Sequence, residues 1–331
     1  MELLKKLTET FSPSGCEANI RRLIKTEIEP YVDEVQTDAM GNLIACKKGK
    51  SGGKKIMFAS HMDEIGLMIT YIDDAGFLRF SSIGWLPQFY ALYRRVVFQN
   101  GTVGVIGYEE ELEELKELKA DKLYIDIGAK SRAEAEKKVA IGDCAAVYGT
   151  FCDMGDVVTA KSLDNRAGCY ALIRAIQAAA PSVNDLYYVF TSQEELGLRG
   201  AKTAAFGIYP DYALAIDVTD TGDTPKAKPM AVSLGGGAAV KVKDDSVICT
   251  PEVRNRLIAC AKNSNIRYQL EIMSGGGTDA GAMQLTRAGI KTGGISVPCR
   301  YIHSAVETVS KKDLECVTKL IISFSETEKW D

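Results

Sequence analysis

The sequence predicts an α/β protein with two domains. One is a mixed-sheet domain with helices on both faces, built from both ends of the chain; the other is a small β-barrel-like domain inserted between them. The chain has 331 residues, enough for two folded units. Short β-like runs with tight turns fill its middle, whereas helix and strand patterns alternate after it. We place the mixed-sheet domain at residues 1–65 and 156–331, and the insert at 66–155.

The first part of the chain predicts a helix and then a buried strand. The helix is indicated by four apolar residues at the spacing i, i+3, i+4 and i+8, which are Ile20, Leu23, Ile24 and Ile28. The apolar run Ile56–Ser60 follows a loop rich in glycine and lysine. A short, uninterrupted apolar run of this kind is typical of a buried strand, which we expect to end at His61.

The insert is predicted from short strands. These are Leu67–Ile72, Phe77–Ser82, Val96–Gln99, Val103–Tyr108 and Leu123–Ile127. Asn100-Gly101 between two of them is a strong hairpin signal. The acidic stretch Glu109–Lys119 is interpreted as a solvated helix or loop.

After Asp156, helices and strands alternate, which indicates a mostly parallel or mixed sheet. Helices are predicted at Asn165–Ala180, Gly200–Phe206 and Lys311–Ser325, and strands at Leu186–Thr191 and Tyr212–Val218. Further units are expected at Arg254–Lys262, Tyr268–Met273, Ala280–Ala288 and Lys291–Val297.

Composition argues against several classes of partner. The net charge of −4 and the pI near 5.5 disfavour a nucleic-acid partner. No segment has the roughly 18–20 apolar residues of a membrane span, and the charged start does not resemble a secretory signal. The nine cysteines are scattered without a Cys-x-x-Cys pair, which is typical of free thiols in a reducing cytoplasm.

Acidic or imidazole groups are concentrated in five segments at the ends of predicted strands. The segments are Ser60–Glu64, Ser162–Arg166, Ser192–Gly197, Ala215–Thr219 and Tyr301–Ser304. Ligands of open α/β sheets gather beyond the carboxyl ends of strands, so these segments can share one crevice. They contain the only two histidines and several carboxylates, a suitable ligand set for zinc, cobalt or manganese. Two such ions, about 3.5–4 Å apart, need a shared carboxylate.

Taken singly, each of these motifs has an ordinary structural explanation. His61 and Asp63 lie two residues apart and can share a strand face, with Asp63 orienting the imidazole, but an isolated His-x-Asp is a weak signal. The adjacent Glu194 and Glu195 can divide metal binding and proton transfer, yet such pairs more often form a solvated face. Asp217 can merely cap a helix. Their joint occurrence favours the metal site.

At these residues the chain resembles the M42 family of metallo-aminopeptidases, which includes glutamyl and tetrahedral aminopeptidases and some members labelled endoglucanase. The matching motifs run in order over essentially the whole chain. They are Ser60–Gly66, Lys161–Cys169, Gln193–Gly200, Asp217–Asp220, Ser274–Ala280 and Arg300–Ser304. The family often has aspartate where this chain has Asn165, a position that is not a ligand.

The resemblance implies a metallopeptidase catalytic domain and a co-catalytic two-metal aminopeptidase. It implies that His61, Asp164 and Asp217 hold one divalent ion, and that Asp164, Glu195 and His303 hold the second. Zinc or cobalt is expected, with manganese as a further candidate. Glu194 is the implied base that activates a metal-bridging water, and Asp63 the implied partner of His61. A cis peptide is expected between Asp164 and Asn165.

The resemblance also implies that the insert mediates self-association, as a tetrahedral homododecamer or a dimer. Glu109–Lys119 then becomes a candidate for lining or gating an opening. Peptides are the expected substrates, cleaved at their amino terminus in the cytoplasm. Alternatives left open are a metal-dependent deacylase acting on another amide, an endoglucanase-type glycosidase that uses a carboxylate pair, and a non-catalytic assembly protein.

Overall fold

The structure is a computed structural model that describes residues 1–50, 52–111, 118–328 and 330. It contains one large mixed sheet, helices packed on both of its faces, and a closed antiparallel barrel. The predicted fold class is therefore confirmed. The barrel strands run from Gly66 to Val147, inside the segment assigned to the insert.

Helices lie mostly outside the barrel segment, within which the described residues form only two α-helices, each of four residues. They are α1 (Glu2–Glu9), α2 (Ala18–Ile28), α3 (Gln88–Ala91), α4 (Arg132–Ala135), α5 (Leu163–Ala178), α6 (Arg199–Ile208), α7 (Pro251–Asn263), α8 (Asp279–Gln284) and α9 (Lys311–Ser325). Short 3-10 turns lie at Glu29–Tyr31 and Ala120–Lys122. Within the described residues, no helix has the length and apolar character needed to cross a membrane.

The large sheet draws strands from both ends of the chain. Its members are β1 (Glu34–Thr37), β2 (Leu43–Lys47), β3 (Lys55–His61), β10 (Cys152–Asp153), β11 (Val157–Ala160), β12 (Asp185–Thr191), β13 (Tyr212–Thr219), β14 (Ala238–Lys243), β15 (Tyr268–Ile272), β16 (Lys291–Arg300) and β17 (Glu307–Ser310). The order is β1-β2-β12-β3-β13-β16-β17-β11-β10, and β14 pairs with β15 and β16. Four neighbours at its centre, β12, β3, β13 and β16, are parallel.

Apolar residues cover both faces of this sheet. On one face, α1, α2, α5, α7 and α9 contribute to a cluster that includes Phe58, Leu214 and Phe324. On the other, α6 and α8 pack over Met57 and Ala213. Because successive strand residues point to opposite faces, an unbroken apolar strand such as β3 supplies both clusters.

The barrel is a second folded unit with its own core. Its strands are β4 (Gly66–Ile72), β5 (Leu78–Ile83), β6 (Arg95–Phe98), β7 (Val103–Tyr108), β8 (Leu123–Asp126) and β9 (Cys144–Val147), closed in the order β4-β5-β8-β7-β6-β9. The hairpin predicted at Asn100-Gly101 joins β6 to β7 and is confirmed, with Gly101 at φ +87°. Most of the acidic stretch Glu109–Lys119 lies outside the described residues.

Candidate metal centre

Neighbouring parallel strands deliver the predicted site residues to one edge of the sheet. His61 is the last residue of β3 and pairs in register with Thr191, the last residue of β12, which leads into Glu194 and Glu195. Asp217 lies near the end of β13. His303 follows the end of β16, and Asp164 lies in the first turn of α5.

The first group of side chains surrounds the imidazole of His61. Its Nε2 lies 3.0 Å from Asp164 Oδ1, 3.6 Å from Asp217 Oδ1 and 3.9 Å from Glu194 Oε2. Ligand atoms of His61, Glu194 and Asp217 all lie within 4.8 Å of one another. These residues are buried, and their carboxylates converge on a small volume beside the imidazole.

The second group surrounds His303. Its Nε2 lies 3.2 Å from Asp164 Oδ2 and 3.3 Å from Glu195 Oε2. Asp164 therefore faces one histidine with each of its two oxygens. The structure brings all five predicted ligands and Glu194 into one cluster; their roles stay predictions.

The backbone around Asp164 is irregular. The Asp164–Asn165 peptide is cis, as the family resemblance implied, and Ser162, two residues before Asp164, has φ +57°. The side-chain amide of Asn165 donates to Ser60 Oγ at 3.1 Å and to the Ile216 carbonyl at 2.8 Å. The Asn165 side chain is thus hydrogen-bonded to strands β3 and β13, while the neighbouring Asp164 side chain faces the two histidines.

Asp63 links several parts of the centre. Its Oδ1 lies 3.5 Å from His61 Nδ1 and accepts the backbone N–H of Glu194 at 3.1 Å. Its Oδ2 accepts the Ser14 hydroxyl at 2.6 Å and the Glu195 N–H at 3.2 Å. β3 ends at His61, so the two residues do not lie on one strand face as we had expected; Asp63 lies two residues beyond the strand, and its carboxylate still reaches the imidazole.

The electrostatics of the cluster suit bound cations. Burial raises the pKa of Glu194, Glu195 and Asp217 above that of an ordinary carboxyl group. Burial lowers the pKa of His303, but Glu195 and Asp164 outweigh it and raise that pKa to about 12. The oxygen Oε1 of Glu195 is buried and accepts no hydrogen bond from any described residue. Buried charges in proteins are paired or coordinate metals, and imidazole and carboxylate groups are ligands of zinc, so this donor set fits divalent ions.

Sequence reasoning missed several polar residues behind the ligands. Glu307 accepts backbone N–H groups from Asp164 and His303. The buried Glu64 pairs with Lys161 at 2.5 Å and accepts the Ser12 N–H at 2.9 Å. Glu64 and Lys161 lie inside motif segments, which was a usable signal. Glu307 lies outside these motifs and has no such sequence signal, because its contacts depend on the tertiary fold.

The cluster lines a cleft of about 820 Å³, together with residues from the segment that forms the barrel. Trp85 and Tyr90 come from the segment between β5 and β6 of the barrel. The Trp85 ring lies 5.8 Å from the ring of His303, and its side chain is mostly exposed. A molecule in this cleft would therefore lie beside the barrel segment as well as the cluster.

Comparisons with known proteins agree with one another. A family model described as M42 glutamyl aminopeptidase matches residues 41–320. A putative aminopeptidase of Acetivibrio thermocellus is 56% identical, with 97% of each chain covered. An aminopeptidase structure from Desulfurococcus kamchatkensis is 40% identical with a TM-score of 0.95, covering 98% of this chain and 94% of that one. The TET1 peptidase of Pyrococcus horikoshii, which can assemble into a tetrahedron or a large octahedral shell, is 38% identical with a TM-score of 0.88, covering 98% of each chain. This chain belongs to the M42 family of aminopeptidases.

Proposed function

We propose that this chain is a co-catalytic two-metal aminopeptidase that removes the amino-terminal residue from peptides. The position of Asp164 carries the proposal. Its two oxygens face His61 and His303 at 3.0 and 3.2 Å, the arrangement that a carboxylate shared by two cations requires.

The ligands divide around that shared carboxylate. His61, Asp164 and Asp217 would hold one cation, and Asp164, Glu195 and His303 the other. Zinc or cobalt suits imidazole and carboxylate donors, and manganese is also compatible. When bound, the two ions would supply Lewis-acid stabilisation of negative charge and would orient the substrate's amine and carbonyl.

Glu194 is the proposed proton carrier. It lines the cleft with its Oε2 3.9 Å from His61 Nε2, and Asp63 accepts its backbone N–H. Burial holds its pKa well above that of an ordinary glutamate, which suits a group that exchanges protons near neutral pH. Glu194 would take a proton from the attacking water and return it to the leaving amine.

We further propose that residues 66–155 form a domain that mediates self-association, as a homododecamer or a dimer, and that 1–65 with 156–331 form the catalytic domain. The closed barrel and the tetrahedral assembly of the TET1 relative support this. A cytoplasmic location is supported by the nine cysteines, all free in the structure.

The test is hydrolysis of aminoacyl-p-nitroanilides carrying Glu, Asp, Leu, Lys or Ala. Each is assayed before chelation, after it, and after Co²⁺ or Zn²⁺ is added back. Cleavage that is lost and then restored by metal supports the proposal and identifies the preferred residue. No cleavage of any aminoacyl or short peptide substrate by metal-loaded protein would contradict it, and release of acyl groups or reducing sugars would then identify a deacylase or a glycosidase.

A matched variant tests Glu194. Replacing it in E194Q keeps the shape of the side chain but removes the proton acceptor. We expect metal binding to persist while kcat falls by a factor of about 10²–10⁴. Normal turnover by E194Q would remove Glu194 from the mechanism.

A further inference from the structure

One buried carboxylate accepts hydrogen bonds from the backbone N–H groups of both Asp164 and His303. Glu307 is the first residue of β17 and is only 2% exposed. Its Oε2 accepts the N–H of Asp164 at 2.8 Å, and its Oε1 accepts the N–H of His303 at 2.7 Å. Each oxygen therefore serves one of the two segments.

Both segments depart from regular backbone where the contact is made. His303 lies in the turn between β16 and β17 with φ +63°, and Tyr301 in the same turn has φ +62°. Asp164 has non-helical angles at the start of α5. Few non-glycine residues adopt a left-handed backbone, so such a turn needs support from its surroundings. Glu307 supplies that support from within the fold.

We propose that Glu307 is a positioning residue that sets the separation of Asp164 and His303 and thereby controls the affinity of the second cation site. The inference rests on the proposed two-metal function. Glu307 touches the backbone of two residues assigned to the second cation, while His61 and Asp217 are held by the central strands β3 and β13. Asp164 is shared by both proposed sites, whereas His303 belongs to the second alone, so loss of Glu307 should weaken the second cation site more than the first.

The chain offers a matched control. Asp313, at the start of α9, is also buried, and its two oxygens accept the N–H groups of Gly235 and Gly237 at 2.6 and 2.7 Å. D313N thus removes the same kind of two-amide acceptor from a loop that carries no proposed ligand. E307Q and D313N should cost comparable stability, but only E307Q should change metal binding.

The experiment measures bound Co²⁺ per subunit in the wild type, E307Q and D313N, by metal analysis after dialysis and by titration calorimetry. We expect two ions in the wild type and in D313N. E307Q should keep one tight ion and bind the second about 10–100-fold more weakly, the usual effect of removing a partner behind a metal ligand. The Co²⁺ concentration for half-maximal hydrolysis should rise by the same factor.

A second variant and a second background sharpen the test. E307D keeps the charge and both oxygens but withdraws them by one methylene, so it should weaken the second ion in the same direction; it decides the question if E307Q does not fold. In a His303→Ala background, which already lacks a second-site ligand, E307Q should cause little further loss of metal.

Two results have different meanings. If E307Q, or E307D in its place, binds two ions as tightly as the wild type and differs from it only in thermal stability, as D313N does, Glu307 is structural and the inference fails. If the wild type itself binds no second ion, or cleaves no aminoacyl substrate, the two-metal proposal fails instead.

Discussion

Asp63 holds the backbone of Glu194 through a hydrogen bond of 3.1 Å from the Glu194 N–H to its Oδ1. The same carboxylate accepts the N–H of Glu195, and it lies 3.5 Å from the imidazole of His61. A single side chain thus fixes one proposed ligand from each cation site and the proposed base. Its effect extends beyond orienting a histidine.

Replacing Asp63 should therefore disturb His61, Glu194 and Glu195 together. D63N substitutes an N–H₂ group for one acceptor oxygen, so at least one of the two backbone contacts is lost. We expect kcat/KM to fall by about 10–100-fold, measured with the preferred p-nitroanilide. Ser14→Ala is the control, because it removes only a hydroxyl donor to Asp63 and should have a much smaller effect. Equal losses in the two variants would argue against the backbone contacts as the cause.

Metal removal should lower thermal stability. Buried carboxylates that bind cations in the folded protein are left uncompensated without them, and a ligand that binds only the folded state stabilises it by RT ln(1 + [L]/Kd). We expect the melting temperature to fall on chelation and to rise with the concentration of Co²⁺ added back, as followed by circular dichroism. E194Q should respond as the wild type does, since Glu194 is not a proposed ligand. A melting temperature indifferent to metal would contradict the ligand assignment.

The buried pair of Lys161 and Glu64 should be costly to break. Lys161 Nζ lies 2.5 Å from Glu64 Oε2, and both side chains are at most 6% exposed. Lys161 is three residues before Asp164 in the chain. Lys161→Met leaves a buried carboxylate without its main partner, and we expect the free energy of unfolding in urea to fall by about 3 kcal/mol. Adding Glu64→Gln should recover part of the loss.

A surface pair provides the comparison for this prediction. Lys319 lies 2.6 Å from Glu315 on α9, with both side chains more than half exposed. Lys319→Met should not change stability measurably, because solvent screens exposed pairs. Similar unfolding curves for Lys161→Met and Lys319→Met would show that burial does not strengthen the Lys161 contact.

How far the sequence predicted the fold depends on how local each signal was. The central strand β3 is an unbroken apolar run, and its ending at His61 was visible without any partner. By contrast, β14 was missed because Lys241 lies within it, and a lysine normally indicates an exposed position. In the fold Lys241 is buried against Glu271 of the neighbouring strand β15, a pairing that no local window contains.

The same distinction applies to the candidate site. The ligands were predicted because each occurs in a recognisable motif at a strand end. The register that places His61 beside Thr191 belongs to the sheet and could not be predicted. Glu307 was missed for the same reason: its two hydrogen bonds reach one segment near it in the chain and one far from it.

Thiol reactivity offers an independent check on burial. Cys152 is exposed, whereas burial raises the pKa of Cys169 to about 11 and that of Cys249 to about 12. Since the thiolate is the reactive form, Cys152 should be modified well before these two in the native protein. Labelling followed by mass spectrometry measures the order in which these three thiols react. Early modification of Cys169 would contradict the packing of α5 against β3.

The residues of the candidate metal centre are synthesised at different times, because they lie far apart in the chain. His61 is synthesised early, but His303 and Glu307 belong to the last tenth of the sequence. The barrel can close before those residues exist, because all its strands are earlier in the chain. A growing polypeptide can therefore present a finished barrel while its hydrolytic centre is still incomplete.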